Sequence, residues 1–162
     1  MDRASFLSRQ TDSGNHAFVV KQWREQRLTL RDELGQLLAA IVLPLSGQQL
    51  QEQVTEFCAN LLDYVCAGHF VIYHNLLASE PANQPETRLL CRKIQQYIGS
   101  STDQILLFNT YCEDTGRSGR FNSSLEQVLG RLTRILLMRF ALEEQLMELG
   151  NIDSVRRLTP CA

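Results

Sequence analysis

The middle of the sequence lacks positive charge. No lysine or arginine occurs between Arg31 and Arg88, so the sixteen basic residues all lie at or outside those two positions. The same interval contains seven acidic residues, namely Asp32, Glu33, Glu52, Glu56, Asp63, Glu80 and Glu86. A segment without cations is poorly suited to gripping phosphates, which argues against a nucleic-acid footprint there. It suits either an ordinary solvated acidic face or the binding of a basic partner.

Long hydrophobic runs are also absent. The longest, Leu37 to Leu43, stops at Pro44 and falls far short of the ~20 residues that a membrane span needs. The first six residues include the charged Asp2 and Arg3 and have no apolar segment of the secretory type. We therefore expect a cytoplasmic protein without a membrane anchor. Its 162 residues, 44% of them hydrophobic, predict a single domain over 1–162, with a core bundle at about 16–150 and flexible termini.

The cysteines show no pairing pattern. There are five, an odd number, and none belongs to a C-x-x-C motif. Cys58 and Cys66 would lie about 12 Å apart on one helix, too far for a disulfide. We predict reduced, mostly buried thiols and no zinc site.

The sequence contains no common catalytic motif. It has no phosphate-binding loop, no dinucleotide-binding G-x-G-x-x-G, no G-x-S-x-G and no H-E-x-x-H. A di-iron bundle needs Glu-x-x-His pairs, but Cys66 and Val71 precede His69 and His74 by three residues. We predict a protein that is not an enzyme and has neither metal nor cofactor. A metal-binding or haem-binding bundle, with His69 as an axial ligand, is the alternative.

The hydrophobic period is helical throughout and predicts an all-α, antiparallel up-down four-helix bundle. We expect helices at about 16–43, 48–78, 85–113 and 123–149, with Ser46 and Gln49 forming a capping box for the second. That second helix carries the clearest repeat, formed by Leu50, Val54, Phe57, Leu61, Val65, Gly68, Ile72 and Leu76. Gly68 in this seam indicates that another group approaches the helix closely. On the third helix, Leu89 is among the residues expected to face inward.

Two further patterns bear on function. A second stripe on the second helix comprises Asp63, Cys66, Ala67, Phe70, Tyr73, His74 and Leu77. It would face either another helix or a binding groove. Arg27 and Arg139 interrupt apolar stripes, and Arg139 and Glu143 are spaced to form either an internal ion pair or an exposed one.

Residues 57–73 read F-C-A-N-L-L-D-Y-V-C-A-G-H-F-V-I-Y. This segment resembles the phrase F-C-x-x-L-V-D-Y-[LV]-S-A-G-H-F-x-[IV]-Y on the second helix of the Rsd/AlgQ family, the regulators of sigma D. Trp23 to Arg27 is similar to the family's W-x-x-x-R, and residues 139–146 are similar to its R-F-x-L-E-D-x-L. Cys66 stands where the family usually has serine, and Glu144 replaces an aspartate.

The resemblance implies an anti-sigma factor. Such proteins bind region four of the primary sigma factor, a helix-turn-helix domain that reads the −35 promoter element. They block its contacts with core RNA polymerase and with promoter DNA, chiefly in stationary phase. We expect a monomer that does not bind nucleic acid itself; a direct DNA-binding regulator is a further alternative, which the missing basic stripe disfavours.

The matched motifs also suggest roles for particular residues. We expect Asp63 to accept hydrogen bonds from a sigma arginine and Phe70 to supply an apolar anchor. The residues predicted to bind the partner are Asp63, Cys66, Ala67, Phe70 and His74. Those predicted to shape the cavity behind them are Trp23, Arg27, His69, Tyr73, Arg139, Phe140 and Glu143.

Overall fold

The computed structural model describes residues 3–42, 46–73, 85–117 and 124–158. These residues form four long helices and no strand, as predicted. The helices are α1 (Arg3–Val42), α2 (Gly47–Ala67), α3 (Pro85–Arg117) and α4 (Ser124–Leu158). A π-helical segment, Gly68–Tyr73, continues directly from α2. None of the described helices is both long enough and apolar enough to cross a membrane.

The helices form a ring in which each packs against two neighbours. Contacts join α1 to α2, α2 to α3, α3 to α4, and α4 back to α1. Arg27 meets Tyr64 while Glu33 meets Asn60, so α1 and α2 run in opposite directions. In the same way Gln51 reaches Gly116 while Phe57 packs on Phe108, which makes α2 and α3 antiparallel. The up-down bundle predicted from the hydrophobic period is confirmed.

The core lies along the axis of this ring. In α2 the predicted repeat is confirmed at Val54, Phe57, Leu61 and Val65, which are all buried, whereas Leu50 is half-buried. The capping box at the start of α2 is present too, with the Ser46 hydroxyl accepting from the Gln49 amide. Leu76 and Leu77 lie outside the described residues.

Several predicted boundaries were wrong. α1 begins at Arg3 rather than near residue 16, and α4 continues to Leu158 rather than stopping near residue 149. Hydrophobic periodicity marks only the helical turns that contact the core. Backbone hydrogen bonds can continue a helix past those turns. Regular α-helix in α2 ends at Ala67, about eleven residues earlier than predicted. Leu89, expected to face inward, is exposed.

Candidate functional site

Glu143 of α4 is the centre of a buried polar cluster that joins all four helices. Its carboxylate accepts from Arg139 Nε at 2.7 Å and from Arg27 Nη2 at 3.3 Å. It also accepts from the hydroxyls of Tyr64 and Tyr73. Arg139 and Glu143 are almost completely inaccessible to solvent, so the internal ion pair, rather than the exposed one, is what the structure shows.

Arg139 connects this cluster to α3 and to the π-helical segment. Its Nη1 donates to the carbonyl of Ile98 and to the hydroxyls of Ser101 and Thr102, at 3.3, 3.0 and 2.8 Å. Its Nη2 donates to Tyr73 Oη at 3.1 Å. Burial alone would lower the pKa of Arg139, but Tyr73 and Glu143 outweigh that effect and raise it, so the guanidinium stays charged.

Arg27 occupies the corresponding position on α1. Its guanidinium lies 5.0 Å from the ring centre of Trp23 and 5.4 Å from that of Phe140, within range of cation–π attraction. Nε donates to Tyr64 Oη at 3.0 Å and Nη1 to Glu144 at 2.9 Å. Burial opposes ionisation of Glu144, but hydrogen bonds from Arg24 and Arg27 outweigh it and lower the pKa of that carboxyl.

Trp23 brings α1 close to the end of α2. Its Nε1 donates to the Tyr64 carbonyl at 3.1 Å, and its ring stacks on that of Tyr64 with centres 5.0 Å apart. A Cβ added to Gly68 would lie 2.9 Å from Trp23 Cζ2, closer than real Cβ contacts come. The close approach predicted at Gly68 is therefore confirmed, and the approaching group is Trp23.

The hydrogen bonds of the cluster hold the helices together. Burial, with Glu143 adding to it, raises the pKa of both Tyr64 and Tyr73, so both phenols stay protonated and donate. Glu143 thus receives four donors, which compensates for burying its charge. Among the described residues, no group of three or more His, Cys, Asp or Glu side chains could hold a metal ion.

The outer face of α2 differs from this interior. Asp63 and Cys66 are exposed, as are Glu52 and Glu56, and Ala67 is half-buried. Glu33 of α1 accepts from Asn60 at 2.6 Å, but its second carboxylate oxygen is buried without a hydrogen-bond partner. Burial and the nearby charge of Glu56 raise the pKa of Glu33 despite that hydrogen bond. Burial is the larger of these two causes, and the like charge of Glu56 adds to it.

The structure separates the predicted residues into two groups. Six of the cavity-shaping residues come together in or against the cluster: Trp23, Arg27, Tyr73, Arg139, Phe140 and Glu143. His69, the seventh, is exposed and lines a pocket together with Tyr73. Of the partner-binding set, Asp63, Cys66 and Ala67 lie on α2. The Phe70 side chain and all of His74 fall outside the described residues.

The second stripe does not stay on one face. Asp63 and Cys66 point to solvent, whereas Tyr73 is buried with its hydroxyl on Glu143. The prediction assumed a regular α-helix through residue 78. The π-helical segment winds more widely than an α-helix, so the side chains after Ala67 leave the α-helical register and Tyr73 enters the core.

Sequence reasoning missed some members of the cluster. Tyr64 bonds both Arg27 and Glu143, although only the nonpolar seam around it was singled out. Its position three residues after Leu61 places it on the same face of the helix as the seam, and this spacing could have identified it as buried. Ser101 and Thr102, which anchor Arg139, carried no such signal because their partner is on another helix. The prediction of reduced, mostly buried thiols is confirmed for the four cysteines among the described residues, none of which forms a disulfide. Cys58, Cys91 and Cys112 are buried and Cys66 is exposed; Cys161 lies outside the described residues.

Comparison with known proteins adds to this geometry. Residues 5–150 match the family model described as regulator of RNA polymerase sigma(70) subunit, Rsd/AlgQ. A regulator of sigma D from Yersinia enterocolitica is 26% identical over 152 residues, which cover 91% of this chain and 88% of the relative. One from Pectobacterium carotovorum is 27% identical over 139 residues, covering 84% and 89%. One from Shigella dysenteriae is 30% identical over 106 residues, covering 65% of each chain. No solved structure matches.

Proposed function

Because the chain belongs to the Rsd/AlgQ family of regulators of the RNA polymerase sigma(70) subunit, we propose that it is an anti-sigma factor that binds region four of the primary sigma factor. The bound protein covers the surface that region four uses to contact core RNA polymerase and the −35 element. It acts in the cytoplasm, in stationary phase, as a monomer. It is not an enzyme and does not itself bind nucleic acid.

The observation that carries this proposal is the exposed Asp63 on a helix without a single basic residue. All of α2 and the π-helical segment lie within the interval between Arg31 and Arg88. A domain that reads DNA presents lysines and arginines to phosphates. An acidic helix face is complementary to such a surface, and the complementarity favours fast and selective encounter.

The proposed interface residues have different roles in binding. Asp63 accepts charge-assisted hydrogen bonds from a sigma arginine, which are stronger than bonds between neutral groups. Cys66 and Ala67 have short side chains that let a partner helix approach the α2 backbone. Phe70 and His74, both members of the second stripe, remain predicted contacts.

The buried cluster supports the proposed binding surface from the interior of the bundle. Through Tyr64 and Tyr73 it fixes the end of α2 and the π-helical segment against α1 and α4. A surface held in its bound shape loses less conformational entropy when the partner docks. Blocking sigma requires no chemical step, since one occupied surface is enough.

The test is the substitution Asp63→Ala, assayed by calorimetric titration with purified sigma region four. We expect binding to weaken by about 1–3 kcal/mol, because a charged hydrogen-bonding group is removed from the interface. Thermal stability should change little, since Asp63 is exposed.

Glu126→Ala is the matched control, because it removes an exposed carboxylate from the first turn of α4, outside the proposed α2 interface. That variant should bind as the wild type does. Equal binding by Asp63→Ala and Glu126→Ala would contradict the assignment of α2 as the interface. Unfolding of Asp63→Ala would make Asp63 structural instead.

A further inference from the structure

A pocket of about 510 Å³ opens beside the π-helical segment. It is bounded by that segment, by one face of α3 and by the C-terminal half of α4. Its lining comprises His69, Tyr73, Gln95, Ile98, Gly99, Thr102, Asp103 and Leu146. A π-helical turn is rare and occurs often at functional sites, which makes a pocket beside one a candidate for binding.

The back of this pocket is held rigidly by the buried cluster. Tyr73 accepts from Arg139 and donates to Glu143, and Thr102 accepts from Arg139 at 2.8 Å. Both lining side chains are therefore fixed by the same guanidinium. A recess whose walls are already ordered binds an inserted group without first having to organise them.

The charge and polarity of the lining specify what fits. Asp103 contributes a carboxylate, exposed at the rim, while Ile98 and Leu146 contribute apolar surface. Among the described residues, none of those lining the pocket is a lysine or an arginine, and Arg139 behind it is paired with Glu143. Apolar walls with an acidic rim suit a long aliphatic stem that ends in a cation, as in lysine and arginine.

The pocket also adjoins the helix that carries the proposed interface. His69, part of the pocket lining, is exposed and follows Asp63 by six residues on the continuous run of α2 and the π-helical segment. The two residues do not share a face, because an α-helix turns about 100° per residue and the π-helical segment leaves the α-helical register. A partner that fills the pocket therefore makes a contact separate from the face that presents Asp63.

We propose that this pocket receives a basic side chain of the bound sigma region four, as a second anchor in addition to Asp63. The proposal rests on the proposed function. The stem of the inserted lysine or arginine packs on Ile98 and Leu146, and its cationic head pairs with Asp103.

Gly99 offers a way to close the pocket without disturbing the fold. A Cβ added there would have no atom within 4 Å, so a larger side chain enters open space. Replacing a glycine inside a helix by leucine also favours the helix. We expect Gly99→Leu to weaken the binding of sigma region four about tenfold or more in calorimetric titration, while the melting temperature stays at or above the wild-type value.

Two controls distinguish filling of the pocket from the change in helix propensity. Gly99→Ala adds one carbon at the same place and should bind as the wild type does. Gly130→Leu introduces the same side chain on α4, again where a Cβ would meet nothing within 4 Å, and should also leave binding unchanged. Asp103→Asn tests the rim independently of any filling, and should reduce both the affinity and its dependence on salt.

The outcomes distinguish this inference from the proposal beneath it. If the wild type binds region four but Gly99→Leu and Asp103→Asn bind equally well, the pocket takes no sigma side chain and the proposed function stands. If the wild type does not bind region four, both are overturned. Selective loss in Gly99→Leu and Asp103→Asn, with both controls unchanged, supports the pocket.

Discussion

At the scale of single residues, Glu143 has the largest structural role. It is buried, and its four donors come from α1, α2, the π-helical segment and α4 itself. Removing one member of a buried ionic network leaves the others charged and without a counter-ion in a region of low polarity. The stability of the bundle should therefore depend on this carboxylate more than on any surface charge.

The substitution Glu143→Gln keeps the size of the side chain and removes its charge. We expect it to lower the free energy of unfolding by about 3–5 kcal/mol, because Arg27 and Arg139 lose a shared counter-ion. Urea denaturation followed by circular dichroism measures this. Glu148→Gln, an exposed position on the same helix, should change it by less than about 0.5 kcal/mol. A loss below about 1 kcal/mol in Glu143→Gln would show that the cluster does not stabilise the fold.

At the scale of helices, the sequence pattern predicted the elements better than their ends. The seam of α2 and the stripe of α1 follow a period that depends only on which side faces the core, so both were readable. The π-helical segment was not, because its wider turn has no hydrophobic signature separate from that of an α-helix. This one irregularity places Tyr73 in the core, away from the face it would occupy in a regular helix.

The candidate site follows the same division. Asp63 and Cys66 are exposed, because helical geometry turns both away from the buried seam; that they bind a partner stays a prediction. The burial of Arg139 was not predictable from its own helix, since three of its acceptors, Ile98, Ser101 and Thr102, are on α3. Local spacing gives the direction of a side chain, whereas its partner across the bundle depends on how the helices pack.

Gly68 tests how tightly α1 and the π-helical segment are joined. In Gly68→Ala the new methyl group would meet two ring systems, 2.9 Å from Trp23 Cζ2 and 3.2 Å from Tyr73 Oη. We expect the variant to lose about 1–3 kcal/mol of stability, because both rings are packed and cannot move aside easily. Thermal or urea denaturation measures the loss.

Gly130→Ala provides the comparison, because its added methyl group enters open space. It should gain up to about 1 kcal/mol, the usual difference in helix propensity between glycine and alanine. If Gly68→Ala were as stable as Gly130→Ala, the contact between Trp23 and Gly68 would not constrain the end of α2.

At the scale of the whole molecule, the uneven placement of charge matters more than its total. The net charge is only −2, so the protein as a whole attracts a basic partner weakly. By contrast, the acidic residues near the end of α1 and along α2 lie in the interval between Arg31 and Arg88, which contains no lysine or arginine. A basic partner is therefore guided toward one side of the bundle, the side that presents Asp63 and the other exposed acidic residues of α2.

The central claim is that this acidic side binds sigma region four directly. Titration of the wild-type protein with purified region four, by calorimetry at low and at high salt, tests it most directly. We expect saturable one-to-one binding that weakens as salt is raised, because exposed opposite charges are screened. Absence of binding at tens of micromolar would contradict the claim, and binding insensitive to salt would contradict the acidic-face mechanism.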